Sequence, residues 1–276
     1  MKKIIKFFIK SILLKANIIA SIITSSAIFA LFIGFDEIVQ SLSSRIIICV
    51  IIYLFTLCIS CIWVFIENNN IIVKFNNTSI QVKYGDLFAE SGITVIPVDT
   101  TFSTLVNDKV ISSNSLHGKF IKTFFGGNIG ELQEQIIKGL AEYNLYSPIN
   151  KDITKWKEKY EIGTIVEVNK EGHKFFLLAL TELNDSNKAE CNFSQYDTAI
   201  KSLYKYMDTH SQGDVVNISL LGSGFARLST SKKNILLFMI LQAMLSEYSF
   251  YGGMRIILHK SVKNEIILSE IKNLLK

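Results

Sequence analysis

Two long uncharged apolar runs, Ala16 to Phe35 and Ile46 to Ile66, stand ten residues apart near the start of the chain. Each is long enough to cross a bilayer core of roughly 30 Å as a helix rising about 1.5 Å per residue. The polar segment between them, 36–45, is too short to fold alone. The pattern predicts a transmembrane helical hairpin over residues 1–66 and a separate domain over residues 67–276.

After the polar linker Glu67-Asn68-Asn69-Asn70 the spacing changes. Ile71 to Phe75 and Ser79 to Tyr84 read as strands around Asn76-Asn77, and Ile93 to Val98 as a buried strand. Glu161 to Val168 and Lys174 to Leu183 flank Glu171-Gly172, a second hairpin signal. Val215 to Leu221 and Met254 to His259 complete the strands. Helical spacing marks Leu116 to Phe125, Ile129 to Tyr143, Tyr196 to Met207, Asn234 to Ser246 and Val262 to Leu275. Strands alternating with helices, and only two prolines, predict one α/β domain with a largely covered sheet. Residues 144–152 read as a long surface loop.

Charge fixes the expected orientation. Five lysines precede the first run, whereas the inter-run segment holds Asp36, Glu37 and Arg45. The positive-inside bias places the N-terminus and the domain from Glu67 onward in the cytoplasm, at the cell (inner) membrane. The chain carries +5 overall, and its basic tail accounts for nearly all of that, leaving +1 beyond residue 66. The tail suits anionic lipid headgroups. No basic run of the kind that tracks a phosphate backbone follows, so nucleic acid is not an expected partner. A cleaved signal peptide is the rival reading of the first run, with Ser25-Ser26-Ala27 as a weak cleavage site.

Cys49, Cys58 and Cys61 lie in the second run, and Cys191 is alone in the following domain. Cys58 and Cys61 spell C-x-x-C, but in an apolar helix they read as small packing residues. Asn17, Ser21, Thr24 and Ser25 recur on one helical face of the first run. That stripe packs within the hairpin, or it packs between protomers or lines a pore; the last reading demands an oligomer.

Three segments carry candidate chemistry. Val215 to Leu221 leads into Gly222-Ser223-Gly224-Phe225-Ala226-Arg227 ahead of a helix, where a glycine pair lets backbone N–H groups approach a phosphate and Arg227 adds charge. A plain tight turn is the other reading, since the motif is neither Walker A nor a complete G-x-G-x-x-G. Tyr84-Gly85-Asp86 ends a strand with an acid able to accept from an adenine amino group or a ribose, or simply solvated in its turn. The strand ending at Asp99 leads to Ser112-Ser113-Asn114-Ser115-Leu116-His117-Gly118-Lys119, a second phosphate or ribose loop or a set of helix caps. The four histidines show no metal-ligand spacing and no G-x-S-x-G elbow is present, so no metal, no cofactor and no catalytic residue is expected. His117 with Asp99 is the one pair to watch for acid–base work.

Together the three segments resemble a macro domain, the ADP-ribose-binding α/β/α module, across most of residues 79–260. That resemblance implies a three-layer domain with a mixed sheet. It assigns Asp86 to the adenine and places Asn114, Ser115, His117, Gly118 and Lys119 with Gly222, Ser223, Gly224 and Phe225 around the diphosphate and distal ribose; Asp99 and Arg227 join them as candidate ligand-binding residues from their positions beside these loops. In place of the family's Asn-Ala-Ala-Asn strand end the chain has Ile96-Pro97-Val98-Asp99, which weakens a hydrolase reading. With the two apolar runs, the stretches starting at Ile96, Ile111, Lys159 and Leu220 are similar to the membrane–macro effectors of type II Thoeris anti-phage defence. That resemblance implies a ligand derived from ADP-ribose, a histidine conjugate made by a TIR-domain protein, which triggers homo-oligomerisation, membrane disruption and abortive infection. A membrane-anchored ADP-ribose-binding protein or ADP-ribosyl hydrolase is the alternative.

Overall fold

Beyond residue 66 the most continuously apolar stretches become strands covered on both faces, as parallel strands require. The computed structural model describes residues 69–275 except 76–77, 144–146, 149–157, 185, 187 and 225, together with scattered positions between 23 and 66. The chain divides into two units, Met1–Ile71 with Ile267–Glu270, and Ile72–Ile266 with Ile271–Lys276. In the first unit every described position from 47 to 66 is helical. The expected spans lie largely outside the described residues, and the stripe Asn17, Ser21, Thr24 and Ser25 lies wholly outside them. Among the described residues no helix is long and apolar enough to cross a membrane.

The strands are β1 (Asn70–Phe75), β2 (Thr78–Tyr84), β3 (Ile93–Asp99), β4 (Ser147–Pro148), β5 (Glu158–Lys159), β6 (Ile165–Lys170), β7 (His173–Leu183), β8 (Ala189–Glu190), β9 (Val216–Ser219) and β10 (Met254–Leu258). The helices are α1 (Leu116–Phe125), α2 (Ile129–Leu140), α3 (Phe193–His210), α4 (Lys232–Leu245) and α5 (Leu268–Leu274). The main sheet runs β1-β2-β10-β9-β3-β7-β6, with β8 also on β7. From β2 to β7 all neighbours are parallel, while β6 and β8 pair antiparallel with β7. Five parallel strands therefore end along one edge, at Tyr84, Leu258, Ser219, Asp99 and Leu183.

Alternation assigns the two faces. Ile96 and Val98 of β3, Phe175, Leu177 and Ala179 of β7, and Val166 and Val168 of β6 pack under α1 and α2. Phe120 of α1 meets Phe175 edge-on at 4.9 Å. On the opposite face Tyr206 of α3 stands perpendicular to Phe176 at 5.1 Å. The Tyr204 hydroxyl, wholly buried, donates to the Met239 carbonyl of α4 at 2.7 Å. The result is a three-layer α/β/α unit with a mixed sheet.

Local chemistry sets the boundaries. Ser115, Asn128 and Ser231 cap α1, α2 and α4 by accepting backbone N–H bonds, and Asn192 with Gln195 forms a reciprocal capping box on α3. Glu171 and Gly172, both with φ positive at 50° and 80°, turn β6 directly into β7 with Lys170 opposite His173. That is the backbone a two-residue primed hairpin demands. One expected helix differs: residues 262–275 form a 3-10 turn over Lys260–Asn264 and then α5. The Ile266 carbonyl between them accepts from the Tyr84 hydroxyl at 2.5 Å, a tertiary bond that local periodicity does not encode.

Candidate functional site

A cleft of about 980 Å³ opens along the carboxyl ends of the parallel strands. In open α/β sheets this edge is where ligands bind, because loops leaving several strands converge there. The volume sits at the upper end of the roughly 300–1,000 Å³ of small-molecule sites.

The loop after β9 forms one wall. Gly222 holds φ +80°, and a Cβ there would lie 2.4 Å from Leu228 Cδ1 and 3.0 Å from Tyr196 Cε2. The Tyr196 hydroxyl donates to the Leu221 carbonyl at 3.2 Å, fixing the turn to α3. Ser223 Oγ donates to the Leu220 carbonyl at 2.6 Å. Gly224 has nothing within 4 Å of a built Cβ, so it is bare backbone beside open space. Arg227, exposed and at φ +54°, lines the same cleft. Phe225 lies outside the described residues.

The turn after β2 contributes Asp86, exposed at the cleft, whose Oδ1 accepts from Phe88 N at 3.1 Å. The floor comes from β3 and α1. A register shift between Val98 and Asp99 pairs Asp99 with Thr181, the kind of local irregularity that re-aims a side chain beside a site. Asp99 is buried; its Oδ1 accepts from the Thr101 amide at 2.9 Å and from the Thr101 hydroxyl. His117 is buried in the first turn of α1. Burial drives its pKa down to about 4, against the opposing pull of the Asp99 charge, so the ring is neutral at pH 7.

The other expected residues of this segment divide. Ser115 lines the cleft, but its Oγ accepts from Gly118 N at 2.9 Å and donates to the Ser112 carbonyl at 2.6 Å, which is the work of a helix cap. Gly118 is packed where a Cβ would lie 2.2 Å from the Ser112 carbonyl oxygen. Lys119 lines the cleft, whereas Gly118 and the exposed Asn114 are not among its lining residues.

Residues that the sequence patterns passed over also join the site. Asp108, at φ +59°, accepts from Ser113 N at 2.6 Å, and that bond holds its carboxyl below the usual range. Lys109 follows it at the rim, Lys188 comes from the approach to β8, and His259 and Lys260 follow β10. His259 and Lys260 were recoverable in principle, since residues just past a central parallel strand must reach this edge. Lys188 and Lys109 had no such signal. Five basic side chains and three acidic ones line the cleft, and this local excess of positive charge favours an anionic ligand. Among the described residues no cluster of three or more His, Cys, Asp or Glu is placed to hold a metal ion.

The mixed-sheet α/β/α domain, with a glycine turn, a strand-end acid and a cationic cleft at the parallel strand ends, has a macro-like architecture. Residues 80–259 match the family described as Thoeris protein ThsA, Macro domain, and the chain belongs to that family. It is 27% identical over 166 residues to the Thoeris protein ThsA of Bacillus amyloliquefaciens (strain Y2), a match covering 58% of this chain and 53% of that protein. The chain thus spans about half the length of the curated relative it matches. A mutant Oceanobacillus iheyensis macrodomain with ADPR overlays at TM-score 0.49 and 9% identity, covering 75% of this chain and 98% of that one. The same organism's macrodomain with ADP gives 0.48 and 10%, covering 75% and 96%.

Proposed function

We propose that this domain is a receptor for an ADP-ribose-type nucleotide in Thoeris anti-phage defence. The cleft is the observation that carries the reading. Its bare Gly224 backbone beside Arg227 is suited to a diphosphate, which needs close N–H approach and positive charge. Asp86, with one carboxylate oxygen engaged by its own turn, is suited to accept from an adenine amino group or ribose hydroxyl. Asp99 and neutral His117 sit at the floor as partners for the hydroxyls or conjugated group at the far end of the ligand.

In this reading the ligand is a messenger, the histidine conjugate of ADP-ribose, made from NAD by a TIR-domain protein. It binds without turnover and favours an assembled, homo-oligomeric state. The N-terminal apolar runs then disrupt the cell membrane and end the infection. Such a shift requires the messenger to bind the assembled state more tightly than the resting one.

Calorimetry of the full chain in detergent, with ADP-ribose and its histidine conjugate, tests the ligand. Saturable binding that disappears in Gly224→Val is expected; binding that survives the substitution removes the loop assignment. The buried Asp99–His117 pair supports a second reading, a membrane-anchored ADP-ribosyl hydrolase. Release of ADP-ribose from a modified substrate, lost in His117→Gln, is the outcome that would favour it.

A further inference from the structure

We infer that the basic mouth of the cleft is also a docking surface for an anionic lipid leaflet, on which the domain rests with the carboxyl ends of its parallel strands toward the headgroups. The inference rests on the membrane reading of residues 1–66 that the proposed function includes, and not on any nucleotide. Lys109, Lys119, Lys188, Arg227 and Lys260 stand exposed around the cleft. Among the described residues none of the five forms an ion pair. Of the three acids there, Asp99 is buried, and Asp86 and Asp108 each accept from a backbone N–H of their own loop.

Sheet topology fixes where the chain enters this domain. β1 neighbours β2, and only Asn76 and Asn77 join them. A parallel pair needs a crossover of a dozen or more residues, so these two strands are antiparallel. β1 therefore begins, at Asn70, beside the end of β2 at Tyr84, which is the edge that carries the cleft. Asn70 lies four residues beyond Ile66, the end of the second apolar run, and four residues of chain reach at most about 14 Å. A chain that leaves a bilayer at Ile66 thus delivers this edge close to the headgroups.

Charge decides which edge meets the lipid. The loops leading into β9 and β10 at the opposite edge, 211–215 and 246–253, hold the exposed Asp214 and Glu247 and no lysine or arginine. The β6–β7 turn there adds the exposed Glu171, and the lysines flanking it, Lys170 and Lys174, are paired with Glu131 and Glu167 at 2.6 and 2.9 Å. The domain is therefore polarised along its strands, basic at the cleft and acidic at the other end. An anionic leaflet attracts basic side chains only within about a Debye length, about 8 Å at physiological ionic strength, so the cations must stand at the edge itself. Turned the other way, the domain would set Glu171, Asp214 and Glu247 against the same negative surface. Lipid phosphates and a diphosphate are alike to these cations, so a nucleotide entering the cleft displaces headgroups from its mouth.

The test uses the full chain, its four cysteines replaced by alanine, in vesicles of phosphatidylcholine alone or with phosphatidylserine, and without nucleotide. A fluorophore on Ser261→Cys, beside Lys260, is read against one on Tyr251→Cys at the opposite edge; both positions are exposed, and a nitroxide on a lipid headgroup is the quencher. Quenching at 261 is expected to be at least about twice that at 251 in phosphatidylserine vesicles. It should fall to the phosphatidylcholine level in about 1 M salt, and equally when Lys109→Glu and Lys260→Glu are combined. Equal quenching at the two positions, or quenching at 261 indifferent to phosphatidylserine, overturns the proposal, because the tether alone would then account for it. Hydrogen exchange of the unsubstituted chain gives a reading free of labels. Amides of 107–113 and 259–263 are expected to exchange more slowly in phosphatidylserine vesicles while those of 246–253 do not change; no slowing, or equal slowing at both edges, overturns the proposal. Neither readout contains a nucleotide, so failure of ADP-ribose binding in calorimetry leaves this result to stand or fall alone.

Discussion

Acid should loosen this domain through one side chain, His117. Its pKa falls from 6.5 to about 4 on folding because burial disfavours the imidazolium. The folded chain therefore holds this proton more weakly than the unfolded chain. Between pH 6.5 and 4 the unfolded state binds more protons, so stability falls as pH falls through that window and is fully present above it. The shift from 6.5 to about 4 corresponds to about 3 kcal/mol at full protonation, of which about 2 kcal/mol is lost by pH 5. For a unit of this size that is a drop in thermal midpoint of roughly 4–8 °C.

Other carboxylates also titrate, so the informative quantity is a difference. His117→Gln keeps a polar side chain of similar reach and removes the titration. Thermal unfolding of the full chain, followed by near-ultraviolet circular dichroism at pH 7 and pH 5, should show a larger acid shift in the unsubstituted protein than in the variant. The level of stability at pH 7 is irrelevant to the comparison; only the pH dependence counts. Equal acid shifts in the two proteins would refute the reasoning, because the buried neutral imidazole would then contribute nothing to it.

The two glycines of the cleft wall should separate in their effects. Gly224→Val meets open space and should leave the thermal midpoint unchanged while abolishing nucleotide binding in calorimetry. Gly222→Ala must accept φ +80° and a 2.4 Å approach to Leu228, costing at least about 1–2 kcal/mol in denaturant unfolding. Asn192→Ala removes the capping box of α3 and should cost about 1 kcal/mol in the same measurement. Gly172→Ala strains the second position of the β6–β7 turn and should cost about 1–2 kcal/mol, without altering nucleotide affinity.

Elements whose signals are local were legible in the sequence. Helix α1 begins and ends where its periodicity predicts, at Leu116 and Phe125, because the Ser115 cap is encoded beside it. Helix α3 runs three residues further at each end than its apolar spacing, since Asn192 and Gln195 cap it earlier. What sequence periodicity cannot supply is strand order. β10 lies between β2 and β9, and only that placement brings His259 and Lys260 to the cleft. Gly118 shows the converse limit: a glycine just after a polar loop reads as a ligand contact, yet it is required by the close approach of the Ser112 carbonyl.

Charge gives the sharpest contrast between chain and fold. Counted along the sequence beyond residue 66, the domain is nearly neutral and carries no basic run. Folded, it gathers Lys109, Lys119, Lys188, Arg227 and Lys260 from five separate segments onto one cleft, against only Asp86, Asp99 and Asp108. A nucleic-acid backbone needs a stripe of positive charge along an extended surface, whereas a single diphosphate needs a few cations converging on one point. The near-neutral total and the lack of a basic run give no sign of the first and do not bear on the second. Convergence is a property of the sheet edge, where neighbouring parallel strands deliver their loops to the same place, and so the basic cleft appears only once the strands are in order.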